Sequence, residues 1–341
     1  MTIQITIVGL GQIGASIGLA LAQRAEMFER VGHDRDMGIA HKAQKMGAVD
    51  RVSLNLPSAV RKADIVVLSL PMDQIQESLS LIAPDLKEDV VLLDTAPVKE
   101  VVTAWAGELL PEKRHYVGLT PVINPAYLHG VDSGLDAARA DLFHKGMLAI
   151  VAPPHTAPEA IKLSADLARM LGAEPFFADP SEIDGLMAAT HTLPELLSAA
   201  LLNATVDQPG WREGRKIAGR FYAEMTSPSM LMSDPMALSR TALLNRENII
   251  RRIDGLIAAL QAIRNDIDGE DGASLEARLE RARTGRILWW QQRQAANWAA
   301  EEMSSAFAET QSGSEIFGRL LGVGRRRKPR PDKYGTTDSH R

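Results

Sequence analysis

The sequence predicts an α/β fold, with a doubly wound parallel sheet in the first half of the chain and an all-α helical domain in the second. Two patterns predict this fold. Short apolar runs alternate with helical patterns up to about residue 178, as expected when helices cover both faces of a parallel sheet. From Pro180 onward the apolar residues recur at helical spacing and no strand pattern is seen. A length of 341 residues is enough for two such domains.

The predicted strands are short apolar runs. The first four are Gln4–Val8, Arg30–Asp34, Ile65–Leu70 and Val90–Asp94. Runs such as IVVLSL and VVLLD are continuous rather than alternating, which is typical of strands buried on both faces. Three further strands are predicted at His115–Gly118, Met147–Ala152 and Pro175–Ala178, with a helix over Ala157–Leu171.

The second half reads as helices at Ile183–Val206, Ala237–Ile263 and Leu275–Phe307, with a loop over Asn265–Ser274. Trp289, Trp290 and Trp298 fall on the last helix, where core or subunit-interface packing is the expected role. We therefore predict a nucleotide-binding domain over 1–178, a helical substrate and dimerisation domain over 179–310, and a flexible basic tail over 311–341.

Composition excludes several classes of chemistry. The chain has no cysteine, which excludes disulfides, thiolate nucleophiles and cysteine-ligated metals, and no metal site is predicted. No apolar run approaches the roughly 20 residues that a bilayer crossing needs, and no secretion signal opens the sequence, so we expect a cytoplasmic protein. Residues 325–341 carry seven Lys or Arg against two Asp, so the rest of the chain is more acidic than its net charge of −5 suggests. An acidic body argues against a nucleic-acid surface.

A glycine-rich turn directly follows the first strand. Its residues are Gly9, Leu10, Gly11, Gln12, Ile13 and Gly14, and a helical stretch follows them. In a Rossmann-type domain, the first glycine permits the tight turn, the second lets the backbone approach a pyrophosphate, and the third allows close helix–strand packing. The free N–H groups at the helix N-terminus would then hold the phosphates.

An acidic residue closes the second strand at the position expected for ribose recognition. Asp34 lies 20 residues after Gly14, where a carboxylate accepts hydrogen bonds from the ribose hydroxyls. This carboxylate would repel the 2′-phosphate of NADP and so favours NAD. Arg35 keeps NADP open as the alternative, because a guanidinium there could hold that phosphate. Leu70, Pro71 and Thr95 follow later strands and are expected to flank the nicotinamide, at the sheet edge where ligands bind in open α/β folds.

With these motifs, the sequence resembles the prephenate/arogenate dehydrogenase family over roughly residues 3–263. The resemblance rests on VGLGQIGASIGLAL, on DIVVLSLP with LLDTAPVKE, on HTLPELLSAAL, and on SDPMALSRTALLNRENI. It implies an NAD-binding domain followed by a helical dimerisation domain. It also implies the oxidative decarboxylation of a cyclohexadienyl carboxylate in tyrosine biosynthesis.

The chain departs from the family pattern where substrate would be held. Pro97 stands in place of the family's serine, in Ala-Pro-Val-Lys. Thr120 stands in place of the histidine of Gly-x-His-Pro, and Ser229 in place of an arginine that clamps a carboxylate. Thr120 can form a hydrogen bond but cannot act as a base near neutral pH.

His191 remains as the candidate base, within one position of the family's helix histidine, and Thr120 as the group that orients the substrate hydroxyl. A satisfied, partly buried histidine is the alternative for His191. His129 is a weaker candidate. Arg220, Arg240 and Arg246 are candidate partners for a substrate carboxylate, although most helix arginines are solvated or paired.

Three functions follow from these observations. The first is a dehydrogenase of the prephenate/arogenate type that acts on a small-molecule carboxylate. The second is a hydroxyacid dehydrogenase with another substrate, and the third is an NAD-binding protein that has lost catalysis. The apolar faces of the helical half predict a homodimer, and no nucleic-acid or membrane partner is expected.

Overall fold

The computed structural model describes residues 2–231 and 234–296. The chain divides into two compact units, Met1–Ile287 and Leu288–Arg341. The predicted tail over 311–341, Trp298 and the end of the last predicted helix lie outside the described residues. In the part that is described, no helix is both long enough and apolar enough to cross a membrane.

One eight-stranded sheet forms the first half of the chain. Its strands are β1 (Ile3–Val8), β2 (Phe28–His33), β3 (Arg51–Val52), β4 (Ile65–Leu68), β5 (Val91–Asp94), β6 (His115–Val122), β7 (Met147–Val151) and β8 (Glu174–Phe177). They lie in the order β3-β2-β1-β4-β5-β6-β7-β8. The order reverses at β1, as in doubly wound folds, and the predicted α/β class is confirmed.

The sheet departs from a fully parallel arrangement at one pair. β6 and β7 are antiparallel, with Thr120 opposite Ala149, whereas the other neighbours are parallel. The connection between them contains only the short turns Pro125–Tyr127 and Gly134–Ala137. A parallel pair needs a long crossover, usually a helix, and this segment forms none.

Six helices cover the sheet. They are α1 (Gln12–Leu21), α2 (Met37–Lys45), α3 (Leu56–Val60), α4 (Met72–Ile82), α5 (Glu100–Leu109) and α6 (Pro158–Met170). Alternate residues of one strand enter different cores: Val67 packs on one face of the sheet, and Val66 and Leu68 on the other. Burial on both faces explains the continuous apolar runs in the sequence.

Helices form the remainder of the described chain. They are α7 (Pro180–Met187), α8 (Leu193–Thr205), α9 (Trp211–Ile217), α10 (Arg220–Leu231), α11 (Pro235–Leu244), α12 (Arg246–Asp268) and α13 (Gly272–Ala295). A widened π turn, Ala188–Thr192, joins α7 to α8. The predicted loop over Asn265–Ser274 shrinks to residues 269–271, because the Asp271 carboxylate accepts a hydrogen bond from the Ser274 amide and starts α13 early.

Candidate functional site

A cavity of about 690 Å³ lies at the carboxyl ends of β1, β4 and β5, under the helices that follow the sheet. One wall comes from the sheet edge and includes Gly11, Asp34 and Thr95. The opposite wall comes from helical residues that include His191 and Glu195. This is the edge at which ligands bind in open α/β folds, and the volume suits a cofactor or a substrate.

The glycine turn has the shape that a pyrophosphate requires. Gly9 has a φ of 90°, and a Cβ there would lie 2.2 Å from the Ser69 carbonyl oxygen. A Cβ on Gly14 would lie 2.0 Å from the Gly9 carbonyl oxygen, so α1 packs directly on the turn. Gly11 has nothing within 4 Å of its Cβ position, and no side chain caps α1. The first amides of α1 are therefore open to an anion in the cavity.

The Asp34 carboxylate is held in place at the end of β2. It accepts hydrogen bonds from the amide of Leu10 at 2.9 Å and from the amide of Asp36 at 2.9 Å. Each carboxylate oxygen has a second lone pair, so both can still accept a ligand hydroxyl. Arg35 lines the same part of the cavity. The turn and this carboxylate fit a dinucleotide bound by its pyrophosphate and ribose.

The structure brings most of the predicted cofactor residues to this cavity. Its lining includes Gly9, Gly11, Gln12, Ile13, Asp34, Arg35, Leu70, Pro71 and Thr95. The Thr95 hydroxyl lies 3.3 Å from the Ser69 hydroxyl, which ties the ends of β4 and β5 together. The two other predicted cofactor residues do not line the cavity. The Leu10 side chain is buried in the core, and Gly14 lets α1 pack directly on the glycine turn.

On the helical wall, His191 faces a carboxylate. Its Nε2 lies 3.5 Å from Oε1 of Glu195, and the two side chains are 56% and 22% exposed. Burial raises the pKa of Glu195, and the positive charge of His191 acts in the opposite direction. The π turn that carries His191 precedes Pro194, which has no N–H to donate to the preceding turn of a regular helix.

Thr120, the other predicted catalytic residue, lies away from the cavity that contains His191. It is a central residue of β6, it is 5% exposed, and its hydroxyl is buried without a hydrogen-bond partner among the described residues. It does not line the cavity that contains His191. The structure therefore brings His191 to the cavity and leaves Thr120 inside the sheet domain.

The positions that depart from the family pattern have mixed surroundings. Pro97 lines the cavity. Ser229 is instead paired with Ser198, with 2.7 Å between the hydroxyl oxygens. Arg220 pairs with Glu224 at 2.7 Å. Arg240 and Arg246 are exposed and do not line the cavity, so none of these three arginines contributes a charge to it.

A buried ion pair supports the sheet side of the cavity, and sequence reasoning did not predict it. Lys99 Nζ lies 2.9 Å from Oδ1 of Asp94, and both side chains are 0% exposed. The Tyr116 hydroxyl donates to the other oxygen of Asp94 at 2.6 Å. Burial lowers the pKa of Lys99 and raises that of Tyr116 well above its usual value, while Asp94 raises both. Asp94 immediately precedes Thr95, so this cluster fixes the loop that lines the cavity.

Asp184 connects this cluster to the helices. Its carboxylate accepts from the amides of Lys99 at 2.5 Å and Glu100 at 3.2 Å, and so caps α5 from the neighbouring helix α7. Asn245 donates to the Asp184 carbonyl at 2.8 Å. Burial raises the pKa of Asp184, against the effect of the two amides. The helix that leads to His191 is thus attached to the loop beside Thr95.

Comparison with known families accounts for both halves of the chain. The sequence model of the prephenate dehydrogenase nucleotide-binding domain matches residues 17–175, and that of the prephenate dehydrogenase dimerization domain matches residues 179–281. The chain belongs to the prephenate dehydrogenase family. The match to the nucleotide-binding domain begins at residue 17, after the glycine turn. A nucleotide-binding role for that turn is therefore supported here by its geometry and not by the match.

The relatives are distant. A prephenate dehydrogenase of Bacillus subtilis is 26% identical over 274 residues, which span 80% of this chain and 72% of the relative. A cyclohexadienyl dehydrogenase of Zymomonas mobilis is 26% identical over 287 residues, which span 83% and 94%. The structure of Aquifex aeolicus prephenate dehydrogenase with hydroxyphenyl propionate and NAD+ has a TM-score of 0.73 at 21% identity, and covers 84% of this chain and 98% of that one. At this identity it shows a shared fold.

Proposed function

We propose that this prephenate dehydrogenase family member is an NAD-dependent enzyme that oxidatively decarboxylates a cyclohexadienyl carboxylate, the reaction that forms the aromatic ring of tyrosine. The observation that carries the proposal is the shared cavity. It joins a glycine turn and Asp34, which suit a dinucleotide, to a histidine on the helical wall.

NAD is the proposed cofactor, with NADP as the alternative. The open backbone at Gly11 and the first amides of α1 suit the pyrophosphate, and the fixed Asp34 carboxylate suits ribose hydroxyls. A 2′-phosphate would meet that carboxylate. When bound, NAD supplies the acceptor for the hydride that leaves the substrate carbon bearing the hydroxyl.

His191 is the proposed base. Its Nε2 faces Glu195, which favours the tautomer with the proton on Nε2 and leaves Nδ1 to accept the substrate hydroxyl proton. As the carbon is oxidised, the bond between the ring and its carboxylate breaks. Its electron pair enters the ring, carbon dioxide leaves, and the proton returns to the ring oxygen. Aromatisation drives this step, and the protein supplies orientation and charge.

That Thr120 orients the substrate hydroxyl stays a proposal, and it requires the Thr120 side chain to reach a cavity that it does not line in this structure. Its buried, unpartnered hydroxyl supports a role toward a ligand, since such a group normally finds a partner. Thr120→Val removes the hydroxyl at nearly constant volume. An orienting role predicts a fall in kcat with little change in stability, whereas unchanged kinetics would remove Thr120 from the site.

The proposal is tested by NADH absorbance with purified protein, NAD, and either prephenate or arogenate. Turnover of one of them is expected, and His191→Asn should lower kcat about 100-fold or more, as expected for loss of a general base. His41→Asn, on the exposed face of α2, is the matched control. Silence with both substrates would overturn the proposal.

A hydroxyacid dehydrogenase with a different substrate is the second candidate. It is favoured by the cavity position of Pro97 and by the pairing of Ser229 with Ser198, which differ from the pattern of the family. Turnover of simple hydroxyacids, with none of prephenate or arogenate, would support it. Calorimetric binding of NAD without turnover of any of these acids would support a protein that has lost catalysis.

A homodimer through the helical half is also proposed. The dimerization-domain match covers 179–281, and this region exposes large apolar side chains that include Phe221, Met230, Leu243 and Leu260. Large apolar side chains that lie together on a surface mark interfaces, and we propose that these side chains do. Sedimentation at micromolar concentration should give twice the chain mass, and a monomer would contradict the proposal.

A further inference from the structure

The helical wall of the cavity is acidic. Glu195 and Asp234 both line it, beside His191. Among the described residues that line the cavity, Arg35 is the only arginine, and no lysine lines it. Arg35 directly follows Asp34 at the nucleotide end. A substrate that lies against the helical wall therefore meets carboxylates there.

Glu195 is the more buried of the two groups and has few partners of its own. Its side chain is 22% exposed, and no hydrogen bond from a described residue holds its carboxylate. The group paired with it is Nε2 of His191, at 3.5 Å, which is longer than a charged hydrogen bond. A half-desolvated carboxylate is stabilised by a donor or a cation that enters the cavity.

Asp234 differs from Glu195 because its carboxylate already accepts a hydrogen bond within the protein. It accepts from the amide of Met236 at 2.8 Å and begins α11. Its charge adds to the negative potential of the wall, but its geometry is set by the helix that it caps. Glu195 is thus the group on this wall best placed to receive a positive charge.

The two substrates of the proposed reaction differ in charge at the side chain of the ring. A keto-acid side chain carries a carboxylate alone, so the molecule with its ring carboxylate is a dianion. An amino-acid side chain adds an ammonium group, which makes the side chain neutral overall. A partly buried carboxylate such as that of Glu195 repels the first and attracts the ammonium of the second.

We propose that Glu195 binds a substrate ammonium group, and that the substrate of this chain is therefore the amino-acid form of the cyclohexadienyl carboxylate, arogenate, in preference to the keto acid prephenate. The inference rests on the proposed function and specifies the substrate of the same site.

The test compares kcat/KM for arogenate and prephenate with NAD, in the wild type and in Glu195→Gln. The wild type should prefer arogenate. The variant should lose about 100-fold of this preference, as expected when one partner of a desolvated charge pair is removed. Any effect of the variant on the basicity of His191 changes both substrates alike and cancels in the ratio. Glu182→Gln makes the same charge change on the exposed face of α7 and should leave the ratio unchanged.

A binding measurement keeps this inference separate from the proposed activity. Calorimetry with L-tyrosine and 4-hydroxyphenylpyruvate, the two aromatic products, needs no turnover. The wild type should bind tyrosine more tightly, and Glu195→Gln should lose this difference while its thermal unfolding stays like that of the wild type. Tighter binding of the keto acid, or an unchanged ratio in Glu195→Gln, overturns the inference. Silence with both substrates in the presence of NAD overturns the proposed function instead.

Discussion

Replacing Lys99 with methionine tests the buried cluster that supports the cofactor side of the cavity. Methionine keeps most of the length of the side chain and removes its charge. Asp94 would keep its hydrogen bonds from the Tyr116 hydroxyl and the Ala96 amide, at 2.6 and 2.8 Å. It would lose the ammonium at 2.9 Å, and its negative charge would stay fully buried.

The expected cost is about 3 kcal/mol of unfolding free energy, at the lower end of the range for breaking a buried ion pair by removing one partner. For a protein of this size, that corresponds to a fall of roughly 5–10 °C in the unfolding temperature. The cost arises from the uncompensated carboxylate. Lys99→Met combined with Asp94→Asn removes both charges and should recover most of the loss, since a neutral amide can still pair with the Tyr116 hydroxyl.

Asp94→Asn alone should depend on pH. Burial already lowers the pKa of Lys99, and Asp94 opposes this effect, so the variant lowers that pKa further. A lysine whose pKa is lower in the folded protein binds fewer protons there than in the unfolded chain. Stability then rises with pH between the folded and unfolded pKa values. The deficit in unfolding free energy of Asp94→Asn relative to the wild type should therefore shrink as pH rises through the lowered pKa of Lys99.

The assay is thermal or urea unfolding followed by circular dichroism. Lys113→Met, in the exposed pair with Glu88 at 3.2 Å, is the matched control and should change little. If Lys99→Met proves as stable as Lys113→Met, the pair contributes nothing. If the double variant is no more stable than Lys99→Met, the uncompensated charge is not the cause of the loss.

Further variants test the cofactor site and a second ion pair. Gly11→Ala should weaken NAD binding, measured by calorimetry, since the added methyl group would occupy the space of the pyrophosphate. Stability should not fall, because the new Cβ meets no protein atom within 4 Å. Unimpaired binding would contradict the predicted pyrophosphate position. Gly9→Ala should unfold at markedly lower denaturant, because φ is 90° and its Cβ would lie 2.2 Å from a carbonyl oxygen; wild-type stability would refute the strained turn. Asp34→Asn should raise kcat/KM with NADP relative to NAD, and an unchanged ratio would argue against ribose recognition there. Burial raises the pKa of Asp50, but hydrogen bonds and charge from Arg30 lower it below its usual value. The stability from this pair is present above the unfolded pKa and is lost as pH falls through the folded pKa. The difference in unfolding free energy between the wild type and Asp50→Asn should therefore shrink below about pH 5 in acid-unfolding measurements, and a constant difference would contradict this.

The sheet domain could be predicted because burial on both faces leaves a local signal. Runs such as Ile65–Leu68 and Val91–Asp94 are apolar throughout, and the structure places them side by side. The direction of β7 left no such signal. It depends on how residues 123–146 connect the strands, and a run of apolar letters is the same for either direction.

The cofactor wall of the cavity could be predicted for a related reason, since the glycine turn and Asp34 lie near each other in the chain. The helical wall could not. Glu195 reads as an ordinary helix carboxylate until the structure places it in the cavity beside His191. From the sequence, Lys99 would be expected on the surface. It can be buried because Asp94 pairs with its charge and because Gly118 has no Cβ, which would lie 2.9 Å from the Lys99 side chain. Such pairings arise from tertiary packing and leave no periodic pattern.

The measurement that tests the central claim most directly is the ratio of NADH to carbon dioxide formed by the purified protein. NADH absorbance and carbon dioxide release would be followed together, with arogenate and then prephenate as substrate. Oxidative decarboxylation at this site predicts equal amounts of the two products from at least one substrate. NADH without carbon dioxide, or neither product from either substrate, would contradict it.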